Sequence, residues 1–286
     1  MIRDYTPGPT RTRPSMTTWT LMYGTLAGLL LLSSVGGCGH SAVPKLNPLP
    51  NFALIDDSTA LEILRQRAES VQRISGQCAL KLTGNNGESV HLDAAIVMAR
   101  PDRLRLRAWK MGQAVFDLTL RPDGLWVETP TDPSRAKDVL PATVGAAEFG
   151  RQFLWFTGGF FTEAGPMAHH IAGDRLIFER GSDAGGRIIC QVDRPTLTPG
   201  KFEMIDPDGR VRFTLDLSDY RDFGGVLWAT HLLASTLEGQ KIDITLSDLE
   251  FNGELAPHAF DPPPRAIKRQ ETTTRADGAA GPGPRS

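Results

Sequence analysis

The chain has 286 residues, of which 40% are hydrophobic, and 31 Lys and Arg residues against 33 Asp and Glu residues give it a net charge of −2. This mildly acidic balance, without a basic stripe interleaved with aromatic residues, argues against nucleic acid as a partner. The length and the hydrophobic content predict one large domain, or one domain with tails, that buries a real core.

Residues 1–37 are similar to a bacterial lipoprotein signal peptide. Three arginines in the first 13 residues precede an apolar run at residues 19–35, and the sequence VGGC ends at Cys38. In such a lipobox the cysteine thiol accepts diacylglycerol, and cleavage then makes the cysteine the N-terminus. The alternative is one transmembrane anchor, but this run is broken by glycine and hydroxyl side chains and is marginal for a hydrocarbon layer of roughly 30 Å. We therefore predict removal of residues 1–37 and acylation of Cys38, palmitate included.

Residues 38–56 are predicted to form a flexible tether between the lipidated cysteine and the folded domain. Pro44, Pro48 and Pro50 stiffen this stretch, and no apolar periodicity develops in it. Gly39 occupies the position at which an aspartate retains enterobacterial lipoproteins in the inner membrane. The absence of that aspartate predicts a location in the bacterial cell envelope, at the outer membrane and facing the periplasm.

The folded domain, predicted at residues 57–261, begins with a helix over about residues 58–73. The segment from Thr59 to Glu62 fits a capping box, in which side chains satisfy unpaired backbone N–H groups. Arg65 is assigned to the solvated side. Apolar residues three or four positions apart form one stripe: Leu61, Leu64, Ala68 and Val71.

Beyond residue 73 the apolar period changes to two, which is typical of strands. Gly- and Pro-containing turns separate the first five alternating segments, so that the pattern predicts an antiparallel meander. A proline-rich loop is expected at 130–141. The strands are expected at about 74–83, 90–98, 103–108, 116–120 and 125–129.

A second helix is predicted over about residues 142–157, where aromatic side chains cover more than one face. Such a helix is usually sandwiched or lies on an apolar cavity. Its aromatic residues include Phe153, Trp155 and Phe156, and Gly158 and Gly159 end it.

Six further strands bring the predicted count to about eleven. From residue 262 the chain is rich in Pro, Thr, Gly and Ala, so that it buries too little apolar surface to fold, and we predict disorder for 262–286. The six strands are expected at about 174–180, 187–193, 201–206, 210–220, 227–237 and 240–251.

Eleven antiparallel strands in one sheet curl strongly, so that the concave face encloses a lumen or wraps a helix. A lumen lined by aliphatic and aromatic side chains suits acyl chains, because each buried methylene contributes roughly 0.8 kcal/mol. Alternation alone does not distinguish such a cavity from a filled core, and both alternatives stay open. The candidate lining residues, besides the three helix aromatics, are Leu80, Leu82, Ile96, Met98, Leu104, Leu106, Phe116, Leu118, Phe213 and Leu215.

Several motifs in this order resemble the bacterial lipoprotein-localisation factors of the LolA/LolB-like fold. After the amphipathic helix come ISG at 74–76, RPDRLRL at 100–106, PDGLWV at 122–127 and LSDLEFN at 246–252. The resemblance covers about residues 57–262. It implies a mainly β (α+β) fold, in which an unclosed antiparallel barrel of about eleven strands wraps around lid helices above an apolar cavity.

The resemblance also implies a function. Members of this group carry lipoprotein acyl chains across the periplasm or accept them at the outer membrane, sometimes from a periplasmic carrier protein; others with the fold act as envelope sensors. The acceptor member exposes a leucine before a glycine between its third and fourth strands. Met111 before Gly112, with Trp109 nearby, matches that position and is the candidate contact with membrane or cargo. An incidental hairpin tip is the alternative.

Motifs for catalysis are absent: the sequence contains no nucleophile elbow, zincin motif, P-loop or dinucleotide fingerprint. We therefore expect a protein that is not an enzyme and that uses no cofactor and no metal. The adjacent His169 and His170 are expected to diverge in a solvated loop. Cys78 and Cys190 either pair, as exported proteins permit, or lie as separate buried thiols on two strands.

Overall fold

The computed structural model describes residues 46–130, 150, 155, 157–182 and 185–269. Cys38, the apolar run before it, and Phe153 and Phe156 of the predicted second helix lie outside these residues. So do most of the loop predicted at 130–141 and the end of the predicted tail.

Helix α1 spans Asp57–Ser70 and begins at a side-chain cap. The cap is Asp56, whose Oδ1 accepts a hydrogen bond from the backbone N–H of Thr59 at 2.7 Å. The predicted capping box from Thr59 to Glu62 is therefore wrong by three positions, since Thr59 donates to the cap instead of forming it. A 3-10 turn at Phe52–Leu54 precedes the helix. The buried stripe of α1 consists of Ala60, Leu61, Leu64 and Ala68.

Thirteen strands form a single sheet in the described part of the chain, and every pair in it is antiparallel. The first meander comprises β1 Arg73–Thr83, β2 Ser89–Ala99, β3 Arg103–Lys110, β4 Gln113–Arg121 and β5 Gly124–Glu128. After the short helix α2 at Gly159–Thr162 come β6 Ala168–Ala172, β7 Arg175–Gly181, β8 Arg187–Asp193, β9 Thr198–Ile205, β10 Val211–Phe223, β11 Val226–Thr236, β12 Lys241–Phe251 and β13 Ile267–Arg269.

The strand order is β13-β5-β4-β3-β2-β1-β12-β11-β10-β9-β8-β7-β6. The pairing of β1 with β12 joins the two meanders, while β13 and β6 remain as the two edges of an unclosed sheet. The predicted fold class is confirmed. The strand count rises from eleven to thirteen because β6 and β13 were not predicted. Both are short edge strands whose side chains are mostly exposed, so neither carries an apolar alternation.

Strand β13 corrects the prediction of disorder from residue 262 for the described part of that tail. Ile267, Lys268 and Arg269 pair with β5, and the Lys268 ammonium lies 5.3 Å from the centre of the Trp126 ring. The stretch of chain before β13 also contacts the sheet, because Arg105 Nη1 donates to the Ala259 carbonyl at 3.3 Å.

The strand register separates an apolar inner face from a polar outer face. Directly opposite residues share a face of the sheet. On the inner face Leu80 lies opposite both Leu92 and Ile244, and Leu118 lies opposite Leu106.

On the outer face, Arg107 lies opposite Asp117. The Asp117 carboxylate also accepts two hydrogen bonds from Arg105, at 2.9 and 3.0 Å, and these raise the pKa of that guanidinium.

Helices α1 and α2 cover one end of this inner face, which we call the closed end. Strand β1 starts there and β2 ends there, where Arg100 donates to the Thr162 hydroxyl at 2.7 Å and to the Ala68 carbonyl. At the opposite end, the open end, the chain turns at 84–87, 111–112 and 237–239.

Candidate functional site

A cavity of about 390 Å³ lies at the open end, between the ends of β1, β2, β10, β11 and β12. Its volume falls within the range of small-molecule sites, about 300–1,000 Å³. The apolar lining belongs to the inner face, because Leu82 lies opposite both Val90 and Ile242, and Ala234 lies opposite Ile242. The apolar residues around the cavity are Leu82, Val90, Phe213, Ala234 and Ile242.

Polar groups stand at the edge of this cavity, and one of them is unsatisfied. The hydroxyl oxygen of Thr236 is buried and has no hydrogen-bond partner among the described residues. Thr236 lies opposite Phe213 and therefore shares its face. Glu88 is held by its own turn, in which Asn86 Nδ2 donates to Glu88 Oε2 at 2.8 Å. Because the Thr236 hydroxyl oxygen is buried, protein atoms enclose it and separate it from the cavity.

Lys241 also borders the cavity but faces the other way. It lies opposite Thr83 and Ser235, neighbours in sequence of the inward-facing Leu82 and Ala234. Because successive side chains in a strand alternate between faces, the side chain of Lys241 leaves the strand on the outer face. One exposed anion, Glu88, and one exposed cation, Lys241, therefore border the described cavity.

Only part of the predicted lining reaches this cavity. Leu82 and Phe213 line it, and Leu106 is half-buried on the same face. Seven others are core residues with an exposed fraction of 5% or less: Leu80, Ile96, Met98, Leu104, Phe116, Leu118 and Leu215. The alternatives of filled core and open cavity therefore both hold, the first over most of the inner face and the second at the open end.

Trp155 lies at the closed end and is not among the residues that line the open cavity, but its ring centre is 6.4 Å from that of Phe213, which does line it. It stacks on Phe202 with ring centres 6.2 Å apart, and it borders a small cavity of about 60 Å³ together with Arg67 and Tyr220. Phe160 meets Phe202 edge to face at 5.4 Å. This aromatic packing closes the end of the sheet beneath α1.

Half-buried arginines of α1 fasten the helices at the closed end, and the sequence pattern did not predict these contacts. Arg67 Nη1 donates to the carbonyls of Leu197 and Thr196 at 2.7 and 3.1 Å, and burial lowers the pKa of its guanidinium. Arg65, predicted to be solvated, donates from Nε to the Phe161 carbonyl at 3.0 Å. Helical periodicity assigns charged residues to the wet face and gives no sign that another loop covers that face.

Exposed apolar side chains lie on two turns at the open end. Met111 is 94% exposed at the β3–β4 turn, where its φ of 50° and the φ of 78° at Gly112 form a tight hairpin. Leu237, at the β11–β12 turn, is 58% exposed. Trp109 is half-buried on β3 opposite Asp93, so it lies on the outer face and not at the tip with Met111.

A chain of three polar side chains crosses the outer face of β10, β11 and β12. Ser218 Oγ lies 2.9 Å from His231 Nδ1, and His231 Nε2 lies 2.9 Å from Asp243 Oδ1. The residue types match those of a hydrolytic triad, but the backbone amides of central strands are committed to the ladder and do not form an oxyanion hole. These three side chains also lie on the face of the sheet opposite the cavity.

The remaining candidates have structural roles in the described residues. His169 lies in β6 and not in a loop, with Nδ1 2.8 Å from Asp57 Oδ2, a hydrogen bond that lowers the pKa of that carboxyl. Cys78 and Cys190 are both free and buried, and burial raises the pKa of the Cys78 thiol to about 12. Among the described residues no cluster of His, Cys, Asp and Glu has the geometry of a metal site.

Solved structures share this architecture. A domain described as an outer membrane lipoprotein-sorting protein from Vibrio parahaemolyticus matches with a TM-score of 0.51 and 14% identity, over 72% of this chain and 97% of that one. A LolA superfamily protein from Nitrosomonas europaea gives 0.50 and 14%, over 70% and 96%. A DUF1329 family protein from Desulfovibrio piger gives 0.53 and 12%, over 71% and 96%. The chain has a LolA/LolB-like fold.

At these identities the likeness establishes the LolA/LolB-like fold and nothing about activity. The sequence matches no protein-family profile and no curated protein. Within the described residues, no helix combines the length and the hydrophobicity needed to cross a bilayer.

Proposed function

We propose that this protein is a lipid-anchored envelope protein that binds acyl chains of lipids or lipoproteins and carries or inserts them at the outer membrane. The observation that carries the proposal is the cavity of about 390 Å³ at the open end, whose wall continues the apolar inner face. One of the similar structures is described as an outer membrane lipoprotein-sorting protein domain, which supports the same class of ligand.

The open end also supports a membrane-facing role. Met111 and Leu237 present apolar side chains to solvent on two separate turns at this end. Four strand spacings separate the two turns in the sheet order, or roughly 19 Å at about 4.8 Å for each. Two apolar tips on the same end as the cavity would touch a leaflet or an acyl cargo together. Trp109, on the outer face, would lie beside that contact.

The anchor completes the proposal. Acylation of Cys38 would fix the chain to a membrane, most simply the outer membrane because Gly39 is not an aspartate, and the cavity would receive chains from a periplasmic carrier protein or from the leaflet. Two acyl chains are enough for stable anchoring, whereas one gives only reversible binding.

The test is metabolic labelling of cells that express the full chain with a palmitate carrying a diazirine and an alkyne. Acylation at Cys38 gives adducts without irradiation, and binding in the cavity gives adducts only after irradiation. We expect the adducts that need irradiation on peptides 82–90 and 234–242. We expect Cys38→Ser to remove the adducts that form without irradiation and to leave the others in place. Irradiation that adds no adduct to these two peptides would contradict the binding proposal.

A second function, an envelope sensor or regulatory lipoprotein without transfer activity, is favoured by one observation. Leu80, Leu104 and Leu118 were predicted to line a lumen but are packed in the core. The cavity therefore borders only a minor part of the inner face. In the same labelling experiment a sensor would show no acyl adduct at the cavity and would co-purify with a protein partner after cross-linking.

We further propose that the protein is not an enzyme. Ser218 is exposed next to His231, so a fluorophosphonate probe reports directly on whether the serine is activated. We expect labelling of the native chain no higher than that of Ser218→Ala. Labelling that depends on both Ser218 and Asp243 would instead assign a hydrolytic activity.

A further inference from the structure

We infer that the Trp155 side chain separates the open cavity from the small cavity of about 60 Å³ at the closed end, which we call the closed-end cavity. This partition limits the length of the acyl chain that the protein accepts. The inference rests on the proposed function, for which it makes Trp155 a specificity-determining residue.

The Trp155 ring lies between the two cavities. It borders the closed-end cavity directly. On its other side the ring centre lies 6.4 Å from that of Phe213, which lines the open cavity. Trp155 and Phe202, on which it stacks, are 1% and 0% exposed, so the aromatic layer is tightly packed. A chain that enters from the open end therefore meets this layer before it reaches the closed end.

The layer is one side chain thick on strand β10. Phe213 lines the open cavity and Leu217 lines the closed-end cavity, and alternation along the strand puts only Leu215 between them on the inner face. These four residue steps span roughly 13 Å at about 3.3 Å each. Phe202 lies opposite Leu215 in the register, so the indole stacked on Phe202 covers this position. Shortening the ring would join the two cavities.

The indole acts through its bulk. Its Nε1 is buried and has no hydrogen-bond partner among the described residues, so hydrogen bonding does not explain a tryptophan here. The two large polar side chains of the closed-end cavity are already engaged. Tyr220 donates to the Pro199 carbonyl at 2.6 Å, and Arg67 donates to the Leu197 carbonyl at 2.7 Å. Most of the remaining lining is apolar and suits the methyl end of an acyl chain.

The volumes set the expected chain lengths. At roughly 30 Å³ for each methylene, the open cavity of about 390 Å³ holds about a dozen groups, and the closed-end cavity adds about two. Trp155→Leu removes about six ring atoms, so the joined space holds about twenty groups. The wild-type protein should therefore enclose lauric acid, with twelve carbons, but leave part of stearic acid, with eighteen, outside. The variant should enclose both.

The experiment uses the full, processed chain, purified from membranes and reconstituted in vesicles. Lauric and stearic acids that carry a diazirine at the methyl end are added separately, and mass spectrometry locates the adducts after irradiation. In the wild type we expect both probes to label the open-cavity peptides 82–90 and 234–242, and neither to label the closed-end peptides 195–200 and 226–230. In Trp155→Leu we expect stearic acid to label the closed-end peptides at least about tenfold more than in the wild type.

Trp228→Leu is the matched control, because it removes the same ring from the same cavity without touching the partition. Trp228 borders the closed-end cavity and is 7% exposed, but its ring packs against Phe251 with centres 5.5 Å apart. Stearic acid should therefore label this variant as it labels the wild type. Thermal unfolding verifies that the variants fold. Trp155→Phe, which loses less of the ring, should shift the adducts in the same direction and replaces Trp155→Leu if that variant does not fold.

The outcomes separate the two levels of the proposal. If neither probe labels any of the four peptides, the proposed function fails and the inference fails with it. If the open-cavity peptides are labelled but Trp155→Leu adds no closed-end adduct, acyl binding stands and the partition is overturned. Closed-end adducts in the wild type, or in Trp228→Leu as strongly as in Trp155→Leu, would overturn it as well. The wild-type adducts decide the question even if neither Trp155 variant folds.

Discussion

Filling the cavity from within is the most direct perturbation of the proposed function. Ala234 lies on the inner face opposite Leu215 and Ile242 and borders the cavity. Ala234→Phe adds about six carbon atoms, which at roughly 30 Å³ for each fill about half of the 390 Å³. The added ring occupies an existing void, so the fold should tolerate it better than a substitution in the packed core.

The expected magnitude follows from the lost contacts. An acyl chain excluded from half of the cavity loses about six methylene contacts, or roughly 5 kcal/mol at 0.8 kcal/mol for each. The chain retains its other contacts and shifts toward the mouth, which recovers part of that loss. We therefore expect the dissociation constant of the palmitate probe that carries a diazirine and an alkyne to rise at least about 100-fold, which corresponds to about 2.8 kcal/mol.

The assay is a titration of irradiation-dependent labelling of the purified protein with this probe, with Ala95→Phe as the matched control. Ala95 is half-buried on the outer face, opposite Gln77 and Arg107, so the same substitution there leaves the cavity empty. Thermal unfolding of both variants verifies that they fold. Wild-type labelling of a folded Ala234→Phe protein would refute the assignment of this cavity as the acyl site.

Three further predictions concern the rest of the molecule. Met111→Asn suits the left-handed backbone and removes the exposed thioether, so the melting temperature should not change. Uptake of the probe from vesicles should be at least about fivefold slower than in Met111→Leu. Equal rates of uptake would exclude a membrane contact at this turn. Arg67→Met leaves two carbonyls without their donor at about 1–3 kcal/mol for each. Its melting temperature should fall by roughly 5–15 °C, while that of the exposed Arg103→Met should not. With a pKa of about 12 the Cys78 thiol should resist Ellman's reagent at pH 8, and after unfolding the chain should expose two reactive thiols if Cys38 is acylated and three if it is not.

The meander was predictable because strand alternation and turn residues are local signals. Leu80 and Leu104 alternate with polar neighbours, and the Asn- and Gly-containing turn at 84–87 marks a hairpin whatever the rest of the chain does. The same dependence on local signals explains why the edge strands β6 and β13 were not predicted. An exposed strand of three to five residues has no buried side, so its sequence shows no apolar alternation.

The cavity was only partly predictable. Leu82 and Leu80 have the same residue type, the same strand and the same face, yet one borders the cavity and the other is packed in the core. Their environments differ because α1 and α2 cover the closed end, and no helix in the described part of the chain covers the open end. Position along a curved sheet relative to a covering helix is a long-range property that a period of two does not contain.

Residue pattern alone settled that this chain builds one apolar face on an antiparallel sheet, since side chains that alternate every second position must segregate by face. Tertiary packing determines which part of that face is covered by aromatic rings and by helices held by arginine hydrogen bonds, and which part borders a cavity. The same packing buried the hydroxyl of Thr236 beside the cavity without a hydrogen-bond partner among the described residues. Contacts between segments far apart in the chain determine all three, and no local pattern of residues encodes them.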